Sequence, residues 1–408
     1  MKYAHLADLH LGSWREQKMR DISTKAFLTA IDQCIEKKVD FILFAGDLFN
    51  TSLPSLETLK IVTKKLKELN DKDIPLYAIA GSHDFSPSGK TMLDVLENAG
   101  LLKNVCKGTI NQETKQLQLQ FTIDEKTGAK ITGMLGRRGL LDKTYYQNLE
   151  RELLEKEQGY KIFMFHTTLS ELKPKHLEMM ESSPASFLPK HFNYYAGGHI
   201  HHPTKIDLPE YGTLTYPGAL FPNSFSEIEK YENGGYYIIE ANNDVQEIEW
   251  IPLEIIKHYS FIMDCNHKSP EVISFEIINH FHNRDLNNHL ITIKLNGTLE
   301  HGKVHDINFK EIIQQLYSQG AYFVMKNTAK LNTEEFEEIK ISNSNPELIE
   351  EETIKEHLQQ IKIFSKETEL HLTKELLNYL NKSKKEGETI TDFQNRVEEE
   401  LDKLLNLD

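Results

Sequence analysis

At 408 residues, 39% hydrophobic and 27% charged, the chain has the composition of a globular protein of two or three domains, and no run approaches the roughly 20 apolar residues of a membrane span. Its formal net charge of −15 argues against a simple cationic nucleic-acid binder. That charge is concentrated late: from Leu331 to Asp408 the balance is −10, which leaves −5 for the 330 residues before it. Cys34, Cys106 and Cys265 fit no zinc or redox spacing, and Met1-Lys2-Tyr3-Ala4-His5 opens no signal-peptide apolar region, so a reducing cytoplasm is the expected compartment.

In chain order, residues 3–7 read as a strand that ends in Asp8-Leu9-His10, and helical periodicity follows over 24–37. A strand at 41–45 runs into Gly46-Asp47, and 55–69 reads as a helix. The strand at 76–80 ends in Gly81-Ser82-His83-Asp84, and a helix over 91–99 stops at Asn98-Ala99-Gly100. Further strands are expected at 116–123 and 130–134. The run 162–165 ends at His166, and 194–196 leads into Gly198-His199-Ile200-His201. Residues 236–239 and 247–251 read as closing strands on the same sheet. Alternating strands and helices up to about Pro252 predict a layered α/β domain.

The texture then changes. Strands at 289–295 and 321–326 with helices at 270–281 and 309–319 predict a small α/β module over 253–331. From 332 onward a linker gives way, after Pro346, to an acidic helical tail. Its apolar stripes are Ile354/Leu358/Ile361, Leu372/Leu376/Leu380 and Phe393/Val397/Leu401/Leu405, with a turn at 381–387 and a capping box at Thr391-Asp392-Phe393-Gln394.

Five polar clusters thus each follow an apolar run of strand length. Continuous apolar runs mark buried parallel strands, and open α/β sheets gather ligands outside the carboxyl ends of their strands. Five strands are therefore expected to deliver Asp, His and Ser side chains to one edge of one sheet. That donor mixture suits Mn, Fe or Zn rather than Ca. It is large enough for two ions sharing one bridging carboxylate, the arrangement that cuts phosphoesters.

The cluster order, with His5–Gly12, Phe44–Phe49 (FAGDLF) and Tyr216–Leu220 (YPGAL), resembles the calcineurin-like metallophosphoesterases and, within them, the meiotic-recombination-eleven/SbcD family of double-strand-break repair nucleases. The resemblance implies a metallophosphoesterase sandwich with nuclease activity over 1–252, a capping DNA-binding domain over 253–331 and a helical ATPase-binding tail. It implies that Asp8, His10 and His201 hold one Mn ion and that His166 and His199 hold a second. Asp47 bridges them, and His83 faces the scissile phosphate as acid or charge stabiliser. The implied partners are DNA ends and single strands, an SbcC-like SMC-type ATPase docked on the C-terminal helices, and a second copy of the chain meeting near 91–101. The implied location is the nucleoid in the cytoplasm.

Two positions depart from the family pattern. Ser82 stands where the family often has Asn, so it completes the second ion's shell either directly or through a water. Asn50 stands where some members carry a second catalytic His just after Gly-Asp-x-Phe. Plainer roles are expected elsewhere: a structural hydrogen bond for His5, a bystander's place for His202, a solvated pair for Arg137-Arg138 and a solvated helix face for Lys64-Lys65-Leu66-Lys67. The rival functions are a phosphatase on the same metal site, which has no use for the long tail, and a non-catalytic scaffold, which has no use for His83.

Overall fold

The expected alternation of strand and helix is present, but its strands divide between two sheets instead of lining one. The computed structural model describes residues 1–86, 89–137, 143–173, 182–242, 245–333, 354, 358, 365–380, 382, 384 and 388–405. The chain runs β1 (Lys2–Leu6), α1 (Gln17–Glu36), β2 (Phe41–Ala45), α2 (Leu56–Asp71), β3 (Leu76–Ile79), α3 (Met92–Asn98) and β4 (Lys103–Asn104). A hairpin of β5 (Gly108–Ile110) and β6 (Leu117–Leu119) precedes β7 (Thr122–Ile123), β8 (Lys130–Gly133), α4 (Lys143–Gln147), α5 (Arg151–Lys156) and β9 (Lys161–His166). Then come β10 (Tyr194–Gly198), β11 (Thr204–Asp207), β12 (Thr213–Tyr216), α6 (Phe225–Tyr231), β13 (Gly234–Asn242) and β14 (Val245–Leu253).

One six-stranded sheet has the order β14-β13-β1-β2-β3-β4 and the other β11-β12-β10-β9-β8-β7. Strands β1 to β4 are mutually parallel, and β13 closes the first sheet antiparallel to β1. Alternate residues explain the layering. Tyr3, Phe41, Leu43, Tyr77 and Ile79 of the first sheet share a core with Ile131, Ile162, Met164 and Tyr194 of the second. The opposite parity, Ala4, Leu6, Ile42 and Phe44, packs with Phe27 and Ile31 of α1 and Val62 and Leu66 of α2. Both faces of β2 are therefore buried, which is why its sequence FILFA reads as unbroken apolar. Strands β13 and β14 close the first sheet as expected, whereas the strand expected over 116–123 breaks into β6 and β7 on different sheets.

Helix α1 begins at Gln17, ahead of the expected residue 24, and α3 ends at the expected stop, where Gly100 takes φ +70°. Lys65 corrects the expectation of a solvated basic face. It is buried, with its ammonium bonded to Asp32 and Glu68.

The next stretch is β15 (Lys257–Asp264), α7 (Pro270–Phe281), β16 (His289–Leu299), α8 (Phe309–Ser318) and β17 (Phe323–Thr333). Its three strands form a parallel sheet of their own, and its helices bury Ile273, Ile277, Phe281 and Leu316 against Ile291, Ile293 and Leu295. Strand β15 escaped the sequence reading because Met263 is its one buried residue. Lys18 of α1 donates to the Tyr322 carbonyl (2.8 Å), and Lys294 of β16 pairs with Glu229 of α6 (2.8 Å).

By its internal contacts the chain falls into two units, Met1–Glu334 and Glu335–Asp408. Within the second, α9 (Lys366–Leu380) and α10 (Ile390–Leu405) pack on each other, with Lys382 paired to Glu400 at 2.7 Å. The cap of α10 lies two residues before the expected box. Thr389 accepts the Asp392 N–H at 3.1 Å and donates its hydroxyl to the Asp392 carboxylate. Ile361 and most of the 381–387 turn lie outside the described residues.

Candidate metal centre

Five strand ends meet at one edge of the sandwich: β1, β2 and β3 from one sheet, β9 and β10 from the other. The correction to a single sheet matters, because two sheets bring donors from both sides of a cleft. The backbone there is held in conformations that L residues avoid. Asp8 (φ 51°), His10 (φ 42°), Asp47 (φ 52°) and His199 (φ 91°) all have positive φ. Such residues cost on the order of 1–3 kcal/mol each and concentrate at functional sites. Two glycines make the close approach possible. A Cβ on Gly46, itself at φ +90°, would run into the His166 ring, and one on Gly81 into the Asp47 carboxylate.

The carboxylate of Asp8 is fully buried and accepts the His199 N–H on both oxygens, at 3.0 and 2.9 Å. His10 Nε2 lies 3.9 Å from Asp8 Oδ1, 3.6 Å from Asp47 Oδ2 and 3.1 Å from His201 Nε2. Asp47 Oδ1 accepts the His83 N–H (2.7 Å), while its Oδ2 is 3.2 Å from His166 Nε2. His166 Nδ1 donates to the Ala45 carbonyl (2.8 Å), which leaves Nε2 aimed at Asp47. Three groups thus bring their donor atoms within 4.8 Å of one another: Asp8/His10/His201, Asp47/His166/His199 and His10/Asp47/His83. Asp47 belongs to two of them.

These donors fit a pair of divalent ions. Among the described residues His166 Nε2 is buried without a hydrogen-bond partner, and two imidazole nitrogens, of His10 and His201, face each other at 3.1 Å. Lone pairs converging in this way want a shared cation. Burial pushes His10 and His199 down to about 3, so both are neutral and able to donate a lone pair at neutral pH. Burial would also lower His166, but the Asp47 carboxylate outweighs it and raises His166 to about 10. Asp47 moves the opposite way: burial disfavours its charge, yet His166 holds it far below the usual carboxylate range.

His83 donates Nδ1–H to the Asn50 carbonyl (2.8 Å) and sets its ring edge-on to His10 at 4.8 Å. It lines a cavity of about 470 Å³ with His10, Asp47, Ser82, His199 and His201. Among the described residues Ser82 reaches the group through a long bond, its hydroxyl donating to Asp47 Oδ2 at 3.4 Å.

Two residues were missed by the sequence reading. Asp84, named in a cluster but given no role, is buried and accepts the backbone N–H of Asp47 (3.0 Å), Gly81 (2.9 Å) and Phe49 (3.3 Å). Burial, with Asp47 nearby, pushes it up to about 7. Glu227 of α6 accepts from His201 Nδ1 (3.1 Å) and from the Asn223 N–H (2.8 Å). The legible signal was Ser224-x-x-Glu227, a helix-start pattern in which Ser224 caps the Glu227 N–H.

The remaining expectations divide. His5 is fully buried and bonded to Tyr194 and Thr215, a structural role as expected. Arg137 is not a solvated cation: its guanidinium lies 4.9 Å over the Phe85 ring, and Arg138 lies outside the described residues. His202, expected to be a bystander of its loop, lines the cavity.

Residues 1–203 match the calcineurin-like phosphoesterase family. The DNA double-strand break repair protein Mre11 of Methanococcus maripaludis is 30% identical over 62% of this chain and 67% of its own. That of Archaeoglobus fulgidus is 29% identical over 68% and 59%. The SbcD component of the SbcCD nuclease of Staphylococcus epidermidis is 28% identical over 64% and 72%. The chain therefore spans about two thirds or less of the length of these archaeal relatives. A cleft whose donors suit two ions, on a chain with these relatives, places the protein in the Mre11 and SbcD family of calcineurin-like phosphoesterases.

Proposed function

We propose that this chain is a two-metal, Mn-dependent DNA nuclease that processes double-strand-break ends together with an SMC-type ATPase of the SbcC kind. The observation that carries the reading is Asp47, whose carboxylate belongs at once to a His10/His83 group and a His166/His199 group. Asp8, His10 and His201 would hold one ion, His166 and His199 the other, and Asp47 both, with Ser82 at the second site directly or through water. When bound, the metal pair supplies Lewis acidity at the scissile phosphate. His83 is the proton carrier of this reading, its ring held by the Nδ1–H bond to the Asn50 carbonyl on the wall of the cleft. Asp84 and Glu227 hold the backbone and ring of these residues in place.

Around this nuclease part (1–252), the 253–331 module would cap the cleft and contact duplex DNA, and the 332–408 tail would dock on the ATPase. A homodimer contact on 91–101 is supported by Val95, 54% exposed on α3. Nucleoid association would follow from these partners.

The test is cleavage of linear duplex and single-stranded DNA with and without added Mn, and co-purification with the SbcC-like ATPase. Mn-dependent shortening of DNA is the expected result. Hydrolysis of phosphomonoesters without cleavage of DNA would instead establish the phosphatase reading.

A further inference from the structure

The candidate metal ligands make only part of the cavity wall. His202, Asn223, Ser226, Lys230 and Tyr231 make much of the rest. Two of these are aromatic and stacked: the His202 and Tyr231 rings lie 5.3 Å apart at 27°. Lys230 places its ammonium 5.0 Å from the centre of the Tyr231 ring. His202 and Tyr231 are half-buried and line the cavity, while Lys230 is exposed.

The stack is tied to the candidate metal centre from both sides. His202 directly follows His201. Tyr231 ends α6 one turn after Glu227, on the same helix face, and Glu227 holds His201 at 3.1 Å. A flat π surface and a cation therefore sit at a fixed distance from the atoms that would cut a phosphodiester. A cavity of about 470 Å³ is in the range that holds a ligand of nucleotide size. Every base offers a π face, and an ammonium is a point charge suited to phosphate.

We infer that His202, Tyr231 and Lys230 form the subsite for the nucleoside that flanks the scissile phosphate, the stacked rings receiving its base and the ammonium its next phosphate. The inference rests on the nuclease reading above and deepens it. Because stacking is sequence-tolerant, the subsite would favour a nucleotide over an abasic residue without choosing among the four bases.

The test uses the full chain with Mn and three substrates: a short single-stranded oligonucleotide, the same oligonucleotide carrying an abasic residue beside the cleavage position, and bis(p-nitrophenyl) phosphate, which has no base. For Tyr231→Leu, KM on the intact oligonucleotide should rise roughly 5- to 150-fold, the range for losing one stacked base. Tyr231→Phe should restore it. The abasic substrate should show little difference between the two forms, and the loss on bis(p-nitrophenyl) phosphate should be far smaller than on the oligonucleotide. Lys230→Ala, a change at an exposed side chain with little bearing on folding, should raise KM for the oligonucleotide and flatten its salt dependence. Equal losses on all three substrates would reduce the stack to a prop for His201 and overturn the inference, as would unchanged KM in both Tyr231→Leu and Lys230→Ala. If the wild-type chain hydrolyses bis(p-nitrophenyl) phosphate but no DNA, the nuclease reading fails by itself. Inhibition by deoxyadenosine monophosphate then decides the subsite: weaker inhibition of Tyr231→Leu supports it, and equal inhibition overturns it.

Discussion

Asp47 and His83 are joined by the His83 N–H bond to Asp47 Oδ1, and the proposed function gives them separable duties. The carboxylate of Asp47 faces His10, His166 and the His83 N–H at once, so replacing it removes donors from two groups. Asp47→Asn should abolish DNA cleavage and lower the bound metal measured by elemental analysis, with the melting temperature close to wild type. Near-normal cleavage in excess Mn would refute a shared carboxylate. His83→Ala should retain both metal content and oligonucleotide affinity while kcat falls roughly 10²- to 10⁴-fold, the usual span for a general acid. Loss of an ion on that change would make His83 a ligand. The residues that converge here were legible because each ends an apolar run. Asp84 and Glu227 were not, because the contact that ties each to the cluster is long-range: Asp84 holds the Asp47 N–H from 37 residues away, and Glu227 reaches His201 across 26. Ser82 was named from the motif, and its bond to Asp47 at 3.4 Å fits a weak contributor. Ser82→Ala should therefore cost far less activity than loss of any of the histidines.

At the scale of elements, strand identity was readable and sheet membership was not. A strand buried on both faces looks the same whichever sheet it joins. Membership is decided by pairings such as β1 with β13, which lie more than two hundred residues apart. Helix α6 shows what local pattern does reveal and what it misses. Its cap at Ser224 follows from sequence, but its use does not: Glu227 holds His201 and Glu229 holds Lys294 of β16. Groups that orient a metal-binding histidine typically matter 10- to 100-fold in metal affinity. Glu227→Gln should weaken one of two metal-binding events in calorimetry by about that factor and leave the other intact. A second element is pinned by a charge. Asp40 accepts the Lys2 N–H at 2.8 Å and pairs with Lys126 at 2.9 Å, fastening the start of β1. Partial burial disfavours its charge, but Lys126 and the Lys2 N–H outweigh that and hold its carboxyl below 3.8. A depressed folded value stabilises the fold above the ordinary value and loses that contribution as pH falls through the folded one. Asp40→Asn should thus melt lower than wild type at pH 7, and the gap should narrow only below about pH 3.8. A gap that stays constant into acid would assign the loss to something other than this charge.

At the scale of the whole molecule, charge and apolar surface are apportioned unequally. The stretch from Leu331 onward carries −10 of the −15, and its described helices are α9 and α10. Leu372, Leu376, Phe393, Val397 and Leu401 are all half-buried. Full burial of such a side chain yields roughly 1.5–3 kcal/mol, so several of them hold free energy that a partner surface could still collect. An acidic amphipathic helix pair with that reserve is suited to a groove on another protein. Truncation after about Lys340 should therefore leave cleavage of short single-stranded DNA and the melting temperature of the remainder near wild type, while pull-down of the SbcC-like ATPase is lost. Pull-down at full strength would remove the tail from the docking surface. A steep fall in melting temperature would show instead that these leucines complete the core of the nuclease, and that the acidity around them is only the solvated face of an internal helix pair.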